Sequence, residues 1–463
     1  MRTVLFRLLV ALTTLAGLLT VTPAVQAAPP DIADQLKQLP GVVSVTEQST
    51  AAPYRYFQLV FRQLVDHNNP RKGYFEQRVG LMHRDASAPM VMYTTGYNYR
   101  GIPFRSEPTQ IVNGNQIDVE YRYFVPSRPA PADWSKLTIW QAATDQHVIV
   151  QALKRIYKAR WLSTGGSKGG MTATYHRRFY PNDVYATIPY VAPNDVIDPV
   201  DSYGQFIAHD GTDPVCRANL NRIQRESLQR RNELEAIAQS NATQTGGTFT
   251  LVGTLDHAVE LAVVDSIFAF WQYGSPSDCA TIPPAGAPAQ QIYDWYEGVE
   301  SLLTYTDQGI EPYVPYYYQA GTQLGSPLAD ESYLKDLLRY PGTDVPRSFV
   351  PRSIKMPFDY TAMPDVDTWV RYQGQRLLYI YGEYDPWSAE PFRLGPGSRD
   401  SYVYYVPKGN HGSKIAMLPA AQAAAATATI QRWAGITPSP QLRRASALPS
   451  VDFDPMLSQR PPL

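Results

Sequence analysis

Cysteine is nearly absent. Cys216 and Cys279 are the two in 463 residues, too few for a disulfide-stapled miniature scaffold or a four-cysteine zinc site. Histidine is scarce as well, at seven. No His-x-x-x-His spacing puts two imidazoles on one helix face, so neither a metal nor another cofactor is expected. Charged residues make up 18% of the chain, against roughly 25% in soluble domains. The 41 basic residues almost cancel the 42 acidic ones, so the basic excess that marks a nucleic-acid partner is missing. Beyond the N-terminus there is no apolar run of about 20 residues, the length a membrane span needs. What the chain does have is 44% hydrophobic residues, 32 Tyr and 40 Pro. Such a composition can bury a large core, which excludes global disorder.

Residues 1–27 read as a secretory signal peptide. Arg2 and Arg7 open it, Leu8 to Val21 form a short apolar run, and Val25-Gln26-Ala27 ends in small residues. Its removal takes the formal charge from −1 to −3. The expectation is a secreted, extracellular protein with no membrane contact after processing. An oxidising compartment would allow a Cys216–Cys279 disulfide, with two buried thiols as the alternative. Residues 28–53 read as an N-terminal arm or pro-segment.

From Tyr54 the pattern becomes strand-like. Tyr56–Phe61 and Phe75–Leu81 alternate. Met90–Thr95 and Ile117–Phe124 are apolar strand candidates, and Trp140–Tyr157 has helical periodicity. Strands alternating with helices indicate an α/β fold on a largely parallel sheet, preceded by an antiparallel pair. Residues 54–199 form the first part of this core. Over 200–365 the texture changes to helices (Arg217–Ser240, His257–Tyr273, Gln290–Tyr305 and Asp330–Tyr340) between loops rich in Gly, Pro and Tyr. This block reads as a helical insertion carrying both cysteines. The core resumes over 366–435, with strands at Arg376–Gly382 and Tyr402–Val406 and a helix at Leu418–Trp433. Residues 436–463 read as an extended or loose tail.

The most informative segment is Gly165-Gly166-Ser167-Lys168-Gly169. A nucleophile on a sharp strand-to-helix turn sits at a strained backbone angle, and side chains two residues to either side would collide. A phosphate loop fails as an alternative, because Lys168 is followed by Gly169 rather than Ser or Thr. A seryl nucleophile needs a base, and the base an orienting carboxylate, expected downstream in the order acid then His. Of the later histidines, His209 and His257 fall in the insertion, whereas His411 follows a strand candidate. Asp385 holds the matching place after the preceding strand. Ser167, Asp385 and His411 are therefore the candidate catalytic residues. The backbone N–H groups of Lys168 and of Tyr97, in the loop after Met90–Thr95, are the candidate oxyanion donors.

These segments, with Gln63-Leu64-Val65-Asp66-His67, Phe75-Glu76-Gln77-Arg78, Glu120-Tyr121-Arg122-Tyr123, Asp385-Pro386-Trp387 and Gly409-Asn410-His411, resemble the secreted bacterial prolyl tripeptidyl aminopeptidases. More distantly they are similar to lysosomal Pro-X carboxypeptidase and dipeptidyl peptidase II. The likeness runs from about 54 to 415 and is weakest in the insertion. Lys168 departs from the lysosomal relatives, which commonly carry an aromatic residue there. The resemblance implies an α/β-hydrolase with a helical cap, acting on peptide substrates at their ends and often after proline. Candidates for pairing with a substrate ammonium are Glu297 and Glu300, or Glu120 and Glu383. Trp387, Tyr313, Tyr316, Tyr317 and Tyr318 offer flat faces for a prolyl ring. A secreted esterase or lipase and a non-catalytic binding protein are the alternatives on the same fold.

Overall fold

The computed structural model describes residues 30–200, 202–437 and 447–454; the expected signal peptide lies outside them. The chain runs through α1 (Ile32–Lys37), β1 (Val42–Gln48), β2 (Arg55–Leu64), β3 (Tyr74–His83), β4 (Met90–Thr94), α2 (Glu107–Val112), β5 (Asn115–Val119), α3 (Ile139–Leu153), β6 (Trp161–Gly166), α4 (Lys168–Phe179) and β7 (Ala186–Tyr190). A long insertion follows. The sheet then resumes with α12 (Ala362–Gln373), β8 (Leu378–Gly382), β9 (Tyr402–Val406) and α13 (Ala420–Ala434), the numbers between belonging to the insertion.

Nine strands form one sheet in the order β1-β2-β3-β5-β4-β6-β7-β8-β9. The first three and β5 pair antiparallel, and every later neighbour is parallel. This is the α/β-hydrolase arrangement. The central strands β4 to β8 are buried along their length but for half-buried Gly166 at the end of β6, as expected where helices cover both faces of a parallel sheet. Segment 28–53, expected as an arm or pro-segment, contributes α1 and the edge strand β1. That strand pairs with β2, and Ile32 and Leu36 pack into the core beside Phe57 and Leu59. The strand expected over Ile117–Phe124 stops at Val119. There the chain turns out of the sheet, with Tyr121 N–H bonded to the Tyr97 carbonyl and Tyr123 at a positive φ of 74°.

The insertion holds α5 (Tyr203–His209), α6 (Pro214–Gln229), α7 (Arg231–Thr245), α8 (Leu255–Tyr273), α9 (Ala289–Val299), α10 (Asp307–Ile310) and α11 (Val314–Gln319). The single helix expected over Arg217–Ser240 is two, broken at Arg230, whose guanidinium binds Glu226, Glu233 and the Ala287 carbonyl. No helix forms over Asp330–Tyr340. Its Arg339 and Tyr340 N–H groups bond the Glu260 carboxylate on α8 instead of carbonyls of their own turn. Cys216 on α6 and Cys279 are joined in a disulfide, Cα to Cα 5.4 Å. The insertion closes over one apolar cluster that includes Tyr97, Tyr121, Tyr123 and Phe124 from the sheet side. It therefore sits as a cap on the strand ends where the candidate residues lie. Among the described residues no helix is long and apolar enough to cross a membrane.

Candidate active site

Ser167 stands between β6 and α4 at φ 54°, ψ −130°, a region that L-residues occupy only where the surroundings enforce it. The enforcement is steric. A Cβ on Gly165 would come 2.5 Å from the Gly169 carbonyl carbon and 2.6 Å from the Thr94 carbonyl oxygen, and one on Gly169 would come 2.3 Å from that same oxygen. The first turn of α4 is thus pressed against β4. The turn leaves Lys168 N–H as an orphan donor of the helix N-terminus, beside the serine.

Asp385 is fully buried after β8. Its Oδ1 accepts the Trp387 N–H at 3.2 Å, and its Oδ2 lies 2.8 Å from His411 Nδ1. That bond fixes Nδ1 as the protonated nitrogen and leaves Nε2 as the basic one. Among the described residues Nε2 has no hydrogen-bond partner. The acid and base loops are tied together: Tyr384 N–H donates to the Gly409 carbonyl at 2.8 Å, and a Cβ on Gly382 would lie 2.4 Å from that oxygen. Ser167 and His411 line one cavity of about 460 Å³ with Lys168, Tyr97, Tyr316 and Trp387.

The cap reaches this machinery directly. His411 N–H donates to the Gln272 carbonyl at 2.9 Å, and the Asn410 amide donates to the carbonyls of Tyr273 (3.0 Å) and Gly274 (2.8 Å). These carbonyls are the unsatisfied end of α8, and a helix C-terminus favours a nearby cation by ~0.3–1 kcal/mol. An imidazolium on His411 would be stabilised there. Sequence reasoning placed Asn410 in a motif without seeing this clamp, which depends on contacts 136 and 137 residues apart.

The expected oxyanion donors differ in their state. Tyr97 N–H bonds to Thr95 Oγ1 at a long 3.1 Å, so an incoming oxyanion must share or displace that acceptor. The Lys168 side chain turns away from the cavity into an aromatic box. Its Nζ donates to the Gly96 carbonyl at 2.7 Å and lies 3.6 Å from the Tyr121 ring centre. Burial holds its amine well below the ordinary lysine range.

Trp387 packs edge-on against Phe268 (5.1 Å) and Tyr203 (5.9 Å), its buried indole N–H having no hydrogen-bond partner among the described residues. Tyr316 lines the cavity 5.7 Å from the Tyr97 ring, and Tyr313 packs on Tyr97 at 6.2 Å. Tyr317 packs at a tilt on Phe349 within the cap, and Tyr318 on Trp134 from the core segment before α3. The structure does not bring Glu297 or Glu300 to the cavity. Glu297 accepts from the Ser301 hydroxyl, and Glu300 is buried in the cap near Tyr305 and Asp344. Glu120 is taken by Arg78, Ser127 and the Tyr99 N–H, and Glu383 by the Lys408 N–H. The cavity wall also includes Asp452, Phe453 and Asp454, from the tail expected to be loose.

Residues 25–462 match the model of the PS-10 peptidase S37 family. Over 449 residues the chain is 51% identical to the prolyl tri/tetrapeptidyl aminopeptidase of Streptomyces mobaraensis, covering 96% of this chain and 94% of that one. The serine protease vicPb of Bipolaris victoriae (strain FI3) is 24% identical over 190 residues, 35% of each chain. Among solved structures, proline iminopeptidase of Mycobacterium smegmatis aligns at a TM-score of 0.34 and 14% identity, covering 84% of this chain and 99% of that one. A family match across nearly the whole chain, with a relative at this identity, leaves one assignment: the chain is a serine peptidase and belongs to the PS-10 peptidase S37 family.

Proposed function

We propose that this chain is a secreted serine exopeptidase that releases short peptides, chiefly tripeptides, from the free N-terminus of its substrates, cleaving after proline. Ser167, His411 and Asp385 act through an acyl-enzyme. One observation carries the reading: His411 has Nδ1 held by a fully buried Asp385 at 2.8 Å, while its unpartnered Nε2 shares a cavity with a strained Ser167. The name of the Streptomyces relative supports the substrate class. The disulfide agrees with an oxidising compartment.

Ser167 Oγ attacks the carbonyl carbon of the prolyl residue as His411 Nε2 takes its proton. Asp385 and the C-terminal end of α8 stabilise the imidazolium. Lys168 N–H and Tyr97 N–H bind the oxyanion. The C–N bond breaks, His411 protonates the leaving amine, and water then releases the acyl group by the same steps in reverse roles. Trp387, Tyr203 and Tyr316 flank the prolyl ring with aromatic surface.

Ser167→Ala should abolish hydrolysis of a chromogenic amide of a tripeptide ending in proline while leaving the circular dichroism spectrum intact; normal turnover by that variant would sink the mechanism. Mass spectrometry of products from a mixed peptide library should give N-terminal tripeptides ending in proline. Acetylation of the substrate amine should remove cleavage, and equal rates on free and acetylated peptides would refute the aminopeptidase reading.

A further inference from the structure

At the edge of the sheet opposite Ser167, the N-terminal ends of β6, β7 and β8 border an open cavity of about 390 Å³. Its wall carries four cationic side chains, Lys154, Lys158, Arg160 and Arg376, and one carboxylate, Asp183. That carboxylate is buried and already engaged. His147 Nδ1 and His176 Nε2 lie 2.7 and 3.1 Å from its Oδ2, and the Gln151 amide donates to its Oδ1 at 2.7 Å. None of the four cations makes a salt bridge among the described residues, although Lys154 lies in the field of Asp183. Arg160 and Arg376 converge on one ring. Each guanidinium carbon lies 4.2 Å from the centre of Tyr185, so the two stand no more than twice that distance apart. Arg160 Nη1 donates to the carbonyls of Arg432 (3.1 Å) and Trp433 (3.2 Å), and Arg376 Nε to that of Tyr185 at 2.6 Å. Among the described residues the other N–H groups of both guanidiniums have no partner. Behind them Arg177 is buried on the carbonyls of Pro181, Val184, Tyr185 and Gln375. Burial, with the charge of Arg376 added, pulls its guanidinium down to about 10. Positive charge is thus crowded at this edge of a chain whose formal net charge is −1.

We infer that this cavity is a second binding site, for a phosphate group, in which the Arg160 and Arg376 guanidiniums hold the phosphate oxygens and Lys154 and Lys158 add charge at the rim. Guanidinium N–H groups bond phosphate oxygens in pairs at ~2.8 Å. The common contact with Tyr185 keeps two like charges within reach of one small anion. A carboxylate offers two oxygens and one charge, which a single guanidinium satisfies; two guanidiniums and two ammoniums match a tetrahedral, multiply charged oxyanion. The backbone argues the same way. Arg376 takes a left-handed φ of 54°, a conformation less strained for glycine or asparagine, and either of those would leave Tyr185 with one guanidinium instead of two. The site is remote from catalysis. Trp161, on its wall, starts β6, and Ser167 follows the end of that strand, ~20 Å further along. A phosphate bound here therefore leaves the catalytic cavity open to peptides.

The test compares the wild type with Arg160→Gln, Arg376→Gln and Lys158→Gln in two assays. One is calorimetric titration with inorganic phosphate, and with acetate, at an ionic strength held constant by sodium chloride. The other is cosedimentation with vesicles of phosphatidylglycerol or of phosphatidylcholine. Phosphate should bind the wild type at least tenfold more tightly than acetate, and either arginine variant should raise its Kd at least tenfold. Lys158→Gln, at an exposed position, should raise it at least twofold and serves where an arginine variant does not fold. Every variant should keep the wild-type rate of Ser167 phosphonylation. Retention on phosphatidylglycerol vesicles that is lost in the variants identifies a lipid headgroup as the source of the phosphate; binding of inorganic phosphate without such retention identifies a soluble one. A wild type that binds neither probe, variants that bind both as tightly as the wild type, or equal affinity for acetate overturns the proposal.

Discussion

Asn410→Ala isolates the contribution of the cap to catalysis. The side chain makes two donor bonds to the end of α8, at 3.0 and 2.8 Å, and accepts the Gly412 N–H at 2.9 Å. At ~1 kcal/mol net per bond, their loss weakens the attachment of the His411 loop by about 3 kcal/mol. The His411 N–H bond to Gln272 remains, so the loop is loosened rather than released. Displacing a catalytic group by ~1 Å costs on the order of 100-fold, which places the expected fall in kcat between roughly tenfold and a hundredfold. KM should change little, because Asn410 acts on the base and not on the bound peptide. Stopped-flow phosphonylation of Ser167 provides a second measurement, since it also requires His411 as base and should slow in proportion. Asn410→Asp keeps the acceptor for Gly412 but loses both donors, and should resemble the alanine variant. If Asn410→Ala turns over within twofold of wild type, the cap does not position the base and the argument from α8 is wrong.

Gly169→Ala should reduce kcat at least a hundredfold with Ser167 still present, because its Cβ would stand 2.3 Å from the Thr94 carbonyl oxygen and can fit only if α4, carrying the Lys168 N–H, moves off β4; wild-type kcat would contradict the steric account. The Cys216–Cys279 bond spans 63 residues, for which chain entropy gives a stabilisation of about 4 kcal/mol, so the double serine variant should unfold at lower urea, and an unchanged midpoint would show that the bond stabilises nothing. Burial foremost, opposed by the Gly211 N–H and reinforced by the charges of Asp385 and Glu383, pushes the Asp210 carboxyl up to about 8. The folded chain then holds this proton where the unfolded chain has lost it, so stability falls as pH rises from about 4 to 8, by up to ~1.4 kcal/mol per pH unit. Asp210→Asn should accordingly gain on the wild type in urea midpoint as pH rises; a pH-independent difference between the two would refute the shift.

The residues of the candidate triad were legible because their chemistry is local. A strained turn between strand and helix demands glycine two residues to either side of Ser167, and the acid and base belong at successive strand ends, which here fall only 26 residues apart. The packing of segment 447–454 against the cavity wall was illegible for the opposite reason. Its anchor, Arg105 with Asp452, joins residues 347 apart, and nothing in a stretch rich in Pro and Ser announces a partner at that distance. Strand β1 was missed because an edge strand buries little: five of its seven residues are exposed and two half-buried, so the apolar alternation that identifies a strand is faint. Glu297 and Glu300 illustrate a third limit. Helical periodicity locates a helix and its apolar stripe, but the direction in which a cap faces the sheet is settled by tertiary packing, which keeps Glu297 on α9 and Glu300 just beyond it out of the cavity lining.

Lys168 serves the candidate oxyanion site with both its backbone and its side chain. This chain places a lysine among the rings of Tyr97, Tyr121 and Phe124. A charged ammonium sealed there without a carboxylate would be costly. Burial holds the amine well below the usual lysine range, and its Nζ donates a hydrogen bond to the Gly96 carbonyl. Gly96 immediately precedes Tyr97, and a Cβ on it would stand 2.6 Å from Gly169 N. The same residue therefore supplies a backbone N–H beside the serine and, through its side chain, fixes the facing loop that carries the Tyr97 N–H. An aromatic side chain at 168 would have no amine to hold that carbonyl, so the lysine combines packing with a polar tie between the two walls of the candidate oxyanion site.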